Sequence, residues 1–169
     1  MDSVRLHSGT EVIIRPIRPG DEPALQAAHG ALSERTKYLR YHGAKPHLNA
    51  SETRYLVQVD GHDHVALVAT PVQEPDRIVA VARFVRLPED PQTAELAIVV
   101  GDSMQDEGLG TRLLSALADA AREHGITRFR ASILAENTAM HRLVRVLPGR
   151  VVREEHEGSV DEIDVELAA

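Results

Sequence analysis

The chain has 169 residues, of which 43% are hydrophobic, 27% charged and 3% aromatic, with a formal net charge of -7 and no cysteine. That length suits a continuous core built from Val, Leu, Ile and Ala, and the ordinary composition argues against disorder or a fibrous architecture. The acidic balance disfavours nucleic acid as a partner, which needs a basic face to neutralise phosphates, and the lack of cysteine excludes disulfides, thiolate zinc sites and cysteine nucleophiles.

The amino-terminal MDSVRLHSGT lacks an apolar signal core, and the longest apolar stretches, near Val65 and Val79, fall short of a membrane span. A cytoplasmic protein with no membrane partner is expected. No repeat or linker-like tract appears, so residues 1–169 read as one domain. The β-branched run Glu11 to Ile17 predicts a first strand closed by Pro16 and Pro19. Asp21 offers an N-cap to a helix carrying Leu25, Ala28 and Leu32 and ending near Ala31; Ser33 caps a second, short helix, after which YLRYHGAKPH should break into loop. Asn49 and Glu52 resemble a capping pair for a helix with Tyr55, Leu56 and Val59 on its apolar side. Strands His64 to Thr70 and Ile78 to Val85 flank the turn-forming QEPDR as an antiparallel hairpin.

A strand from Ala94 to Val100 then runs into GDSMQDEGLG and a helix whose Leu109, Leu113, Leu114, Leu117 and Ala121 make one apolar stripe. Thr127 to Leu134 alternates Phe129, Ala131 and Ile133 inward. Asn137 caps a helix with Met140, Leu143, Val144 and Leu147 at i, i+3, i+4 and i+7, ended by Pro148 and Gly149. Arg150 to Glu155 and Val160 to Leu167 close the chain as strands, and their acidic sequence reads as a solvated edge hairpin. The order describes a mixed α/β layer structure.

The glycine-rich turn between strand and helix is the centre of the chemical reading. Glycine lets backbone N–H groups approach a pyrophosphate, and a helix N-terminus offers unpaired donors with a positive dipole end. Gln105 to Thr111 has this form but lacks the Gly-Lys-Ser/Thr of a Walker loop and the three glycines of a dinucleotide fingerprint, so ATP and NAD are disfavoured. Taken alone, the motif fits equally a helix start with two glycines for tight packing.

The run AELAIVVGDSMQDEGLGTRLLSAL resembles the acetyl-CoA-binding motif of GNAT acetyltransferases, Gln/Arg-x-x-Gly-x-Gly/Ala after a strand, with Gln105, Gly108 and Gly110 in the matching positions. AENTAMHRL is similar to the start of that superfamily's helix beside the pantetheine arm. IRPIRPGDEPAL, TKYLRYHG and LVQVDGHDHVALVA look like the branch of bacterial protein-lysine acetyltransferases. The resemblance implies a GNAT fold: a central mixed, mostly antiparallel twisted sheet flanked by helices, with strands splayed at the acyl-CoA site. It implies acetyl-CoA or another acyl-CoA as cosubstrate, held by Val99, Val100, Gln105, Asp106, Glu107, Gly108, Leu109, Gly110, Thr111, Arg112, Asn137 and Met140, and a protein lysine or small amine as acceptor.

Three features depart from the family pattern. Asp106 and Glu107 put carboxylates beside the expected pyrophosphate; they must turn outward, with Arg112 as the compensating cation. Val144 stands where many members carry the tyrosine that protonates the departing thiolate. Pro148-Gly149 replaces the usual Gly-Phe.

A lysine amine with a pKa near 10.4 costs about 4 to 5 kcal/mol to deprotonate at pH 7, so a base is useful. Glu95 is the candidate by resemblance to the Ala-Glu pair of the lysine-acetylating branch, and apolar surroundings would strengthen it; on residue type alone it reads as an exposed strand glutamate. Backbone N–H groups near Val99 and Val100 would polarise the thioester carbonyl if the strand bulges there. Tyr38, Arg40 and Tyr41 are placed at the amine entrance. Of nine histidines only His62 and His64 are close in sequence, with no third ligand at recognisable spacing, so no metal is expected. No serine stands in a Gly-x-Ser-x-Gly setting, which disfavours a hydrolase triad. The competing reading is a catalytically silent acyl-CoA-binding regulatory or interaction module. The exposed edge strands of such folds are compatible with a homodimer.

Overall fold

The computed structural model describes residues 3–169. One eight-stranded sheet organises them, in the order β1-β2-β3-β4-β5-β6-β8-β7. The strands are β1 (Ser3–Arg5), β2 (Glu11–Pro16), β3 (His64–Pro71), β4 (Ala80–Leu87), β5 (Asp90–Val100), β6 (Arg128–Leu134), β7 (Gly149–Glu157) and β8 (Val160–Leu167). All neighbours are antiparallel except β5 and β6. Five helices flank the sheet: α1 (Glu22–Gly30), α2 (Glu34–Tyr41), α3 (Ala50–Val57), α4 (Leu109–Glu123) and α5 (Thr138–Arg145). This is the expected mixed, mostly antiparallel architecture.

Period-two alternation decides which face each residue serves. On β3, Val65, Leu67 and Ala69 join the core beneath α4, whereas Ala66 and Val68 join a second core under α1 and α3. On β4, Ala80, Ala82 and Phe84 face α4 and Val81 faces the other way. The α4 stripe of Leu109, Leu113, Leu114, Leu117, Ala118 and Ala121 is sealed against the sheet. At about 2 kcal/mol per buried leucine, this one helix face contributes a large share of the hydrophobic stabilisation.

Several expectations change in detail. β1 goes unread in the sequence, because three residues are too few to show a period. Asp21 does not cap α1: its carboxylate takes two hydrogen bonds from Arg15 at 2.8 Å and one from the Arg18 N–H. Burial makes that ion pair the better use of the charge. α2 continues through Tyr41 instead of breaking at Tyr38. Ser33 accepts from the Thr36 N–H, the buried Lys37 donates to the Pro46 carbonyl, and only the left-handed His42 (φ 60) ends the helix. The carboxy-terminal hairpin is only half solvated. β7 is an exposed edge, but β8 lies between β6 and β7, with Ile163, Val165 and Leu167 in the core and Asp164 fully buried on the opposite face.

Candidate functional site

β5 and β6 pair over only three positions, Thr93 with Arg128, Ala94 with Phe129 and Glu95 with Arg130. Beyond Glu95 the two strands part while β5 stays in register with β4 as far as Val100. The expected bulge at Val99 and Val100 is absent. The β4/β5 irregularity lies at Arg86/Leu87, and main-chain groups are freed instead by the departure of β6. The Gly101 N–H donates to the Val79 carbonyl at 2.7 Å. Antiparallel alternation from that bond commits Val99 and Ala97 to β4 and turns the main-chain groups of Leu96, Ile98 and Val100 toward the fork.

The fork opens into a cavity of about 840 Å³. Its far wall is the turn that starts α4. Gly108 adopts φ 83 at the N-cap position and Asp106 φ 61, and no side chain caps the helix. Among the described residues the main-chain N–H groups from Asp106 to Thr111 make no hydrogen bond; the first intrahelical bond runs from Arg112 to Gly108. A row of unspent donors at a helix N-terminus suits an anion. Gly110 has a second reason for its small size, since a Cβ there would lie 3.2 Å from Leu143 Cδ2, where α4 and α5 approach.

The loop is held in place from three sides. Gln105 Nε2 donates to the Val100 carbonyl at 3.0 Å. The Glu107 carboxylate accepts from the Ser8 N–H at 2.7 Å, and its carbonyl from the His7 N–H, which ties the loop to the β1–β2 turn. Asp102 accepts from the Ser33 N–H, Ser33 Oγ and Thr36 Oγ1 at 2.6 to 3.0 Å, docking the start of α2 onto the end of β5. Burial works against the ionised Asp102, but the hydrogen bonds from Thr36 and Ser33 hold its carboxyl below the usual carboxylate range.

Most of the residues named from the sequence meet around this cavity. Val99, Val100, Gln105, Asp106, Gly108, Leu109, Gly110 and Thr111 line it, with Asn137 and Met140 opposite and Glu95, Arg40 and Tyr41 at the other end. Asn137 Oδ1 accepts from the Met140 N–H and so caps α5. Three residues lie outside the lining: Glu107, turned to Ser8; Arg112, exposed on α4; and Tyr38, exposed on α2. The outward turn expected of both loop carboxylates holds for Glu107, whereas Asp106 stays on the cavity wall. No compensation by Arg112 is built. Glu95 is exposed, not enclosed by apolar groups, and its register partners are Val85 on β4 and Arg130 on β6.

The charges around Glu95 carry no signature in the residue pattern. Arg130, beside it, makes a two-pronged ion pair with the buried Asp164 at 2.9 and 3.1 Å, and Arg153 approaches Asp164 from β7 at 3.4 Å. Arg83 is buried at the β4 wall, and His64 accepts from it at 3.0 Å. Burial, then the Arg83 charge, lowers the His64 pKa to about 4, and burial, then Arg40, lowers that of Arg83 to about 10. No residue spacing announces these pairings, because each depends on strand register: His64 with Arg83 across β3 and β4, Arg153 with Asp164 across β7 and β8, and Arg130 with Asp164 across the non-consecutive β6 and β8. Among the described residues no three His, Asp or Glu side chains converge as a metal site, and no helix is long and apolar enough to cross a membrane.

Comparison with known proteins places this geometry. A family model described as Acetyltransferase (GNAT) family matches residues 32–147, more than half of the chain. The chain is 33% identical over 162 residues to acetyltransferase Pat of Mycolicibacterium smegmatis, covering 96% of this chain and 48% of that protein. It therefore spans about half the length of that relative. Among solved structures, the GNAT domain of S. lividans PAT superposes with a TM-score of 0.89 at 29% identity, covering 98% of this chain and 96% of that one. The yncA protein of Salmonella typhimurium, solved with its cofactor acetyl-CoA, shares the fold with a TM-score of 0.70 at 20% identity over 92% or more of both chains, at 93% of this one and 94% of that one.

Proposed function

The chain belongs to the GNAT acetyltransferase family, and from that premise we propose that it moves an acetyl or short acyl group from acyl-CoA to a primary amine, a protein lysine first among them, by direct attack with Glu95 as general base. The observation that carries this reading is the set of unspent N–H groups of Asp106 and of Gly108 to Thr111, residues that line the same cavity as the β5/β6 fork and Glu95. An anionic diphosphate satisfies the first feature, and a thioester arm of extended shape fits the second. Gly108 and Gly110 let the chain approach the diphosphate, while Asn137 and Met140 flank the arm.

In the proposed sequence Glu95, directly or through a water, takes a proton from the ammonium of the acceptor. The neutral nitrogen adds to the thioester carbonyl, and the negative oxygen that forms is stabilised by main-chain N–H groups of β5 turned into the fork. Loss of the second nitrogen proton to water and collapse of the tetrahedral intermediate form the amide, break the C–S bond and release the CoA thiolate. Val144 is buried in the core where a tyrosine acid would stand, so the thiolate takes its proton from water or another group. Relief of the deprotonation cost, orientation of the amine and stabilisation of the oxyanion are the three contributions the site makes.

Amine-dependent release of free CoA, followed with a thiol reagent across a panel of lysine peptides and small amines, tests the proposal. Release that requires the amine is the expected outcome. Saturable acyl-CoA binding with no thiol release from any acceptor would instead assign the chain as a silent binding module, a reading that the missing tyrosine and Asp106 on the cavity wall favour.

A further inference from the structure

The end of the cavity away from the α4 loop carries two arginines, Arg40 and Arg83, that form no ion pair among the described residues. Arg83 is 6% exposed and spends Nη1 on the Leu56 carbonyl at 2.9 Å and on His64 Nε2 at 3.0 Å, leaving Nε and Nη2 with no protein partner. Arg40, half-buried on the last turn of α2, lies 4.6 Å above the Tyr41 ring and makes no ion pair among the described residues. The two stand near enough for the charge of Arg40 to act on Arg83. Both also border a second cavity of about 600 Å³, which opens behind them between α1 and the sheet and is walled by Leu25, Ala28, Ile78 and Val81.

Elsewhere the protein gives its enclosed arginines an acid: the buried Arg15 has Asp21 and the half-buried Arg130 has the buried Asp164. The acids nearest the Arg40/Arg83 pair are otherwise engaged or out of reach. Asp102 is tied to Ser33 and Thr36, and Glu95 lies diagonally across β4 and β5 from Arg83 without forming an ion pair. Two adjacent guanidinium groups in a partly dry pocket repel each other, and an incoming anion relieves that repulsion. The planar fork of arginine matches a carboxylate in particular.

We propose that Arg40 and Arg83 together bind a carboxylate carried by one of the two reactants, the acceptor amine or the acyl group, and so select for reactants that bear one. The proposal deepens the acyl-transfer reading and rests on it. Despite the net charge of -7, the inner end of the cleft is cationic, because total charge says little about local charge.

Three matched pairs separate the sources of the carboxylate. With acetyl-CoA as donor, γ-aminobutyrate is compared with n-butylamine, and a peptide lysine flanked by Glu with the same peptide carrying Gln. With n-butylamine as acceptor, succinyl-CoA is compared with butyryl-CoA. The carboxylate-bearing member of at least one pair is expected to show kcat/KM higher by about 10- to 100-fold, the scale of a charge-assisted, partly desolvated contact. That ratio should collapse toward unity in Arg83→Met and in Arg40→Gln. The half-buried Arg40 gives a variant that folds even if Arg83→Met does not, as thermal melting will report. Equal kcat/KM within all three pairs, or a preference that survives Arg40→Gln and Arg83→Met, overturns the proposal while acyl transfer stands. Absence of CoA release from every acceptor removes the acyl-transfer reading, and this inference with it.

Discussion

The two parts of the sheet are built differently. From β1 to β5 both faces are closed with hydrocarbon, α4 on one side and α1 with α3 on the other. From β6 to β8 only the α4 and α5 side is apolar. The opposite face is a row of charges in register, Glu95 beside Arg130, Arg130 beside Asp164 and Asp164 beside Arg153. The β5/β6 ladder joins the two parts over just three residue pairs. The fork removes backbone pairing at the seam, and the apolar core shared under α4, with Phe84 against Phe129, holds the two parts together. Where no helix covers the strands, interlocked ions do what leucines do elsewhere.

That contrast can be tested at the seam first. Glu95→Gln should lower kcat/KM by about 10²- to 10⁴-fold, the range for a lost general base, with the melting temperature little changed. Full turnover by this variant from about pH 6 to 9 would remove Glu95 from the role.

In the ionic part, Asp164→Ala leaves Arg130 and Arg153 without their buried partner and should cost about 3 to 5 kcal/mol in urea unfolding. A loss under about 1 kcal/mol would show that the charge row lines that face without holding it. Phe84→Ala in the hydrocarbon part should cost a similar amount, about 3 to 5 kcal/mol, by leaving a cavity.

Acid should strike the hydrocarbon part through His64. Its folded-state pKa of about 4 lies below the ordinary 6.5, so the folded state favours the neutral ring. The stabilisation is fully present above about pH 6.5 and is lost as pH falls toward about 4, on the order of 3 kcal/mol at about 1.4 kcal/mol per pH unit. His64→Gln should flatten that part of the stability profile; an unchanged slope would assign the acid sensitivity to other groups. The smallest effect is expected at the loop. Gly108→Ala forces a side chain into φ 83 with its Cβ 3.1 Å from His7 Nε2. About 1 to 2 kcal/mol of stability should be lost, with KM for acyl-CoA rising as the loop shifts; unchanged KM would mean that the loop does not grip the cosubstrate.

Element types, their order and the α4 loop were legible in the sequence because their causes are local. A 3.6-residue apolar stripe, strand alternation and a glycine at a left-handed turn act within a few residues of one another. The amino-acid order therefore determined the helices from α3 onward, the β3–β4 hairpin and the glycine turn that starts α4 nearly as they stand. What only the tertiary structure decided involves partners brought together by the fold: Asp21 as an ion-pair partner and not a cap, α2 carried on to Tyr41 with Lys37 buried against the Pro46 carbonyl, Asp164 buried among arginines, and the fork opened by the departure of β6 in place of a bulge in β5. A buried charge is stable only beside its counter-charge, and which residues become neighbours is settled when the strands assemble, not by their spacing along the chain.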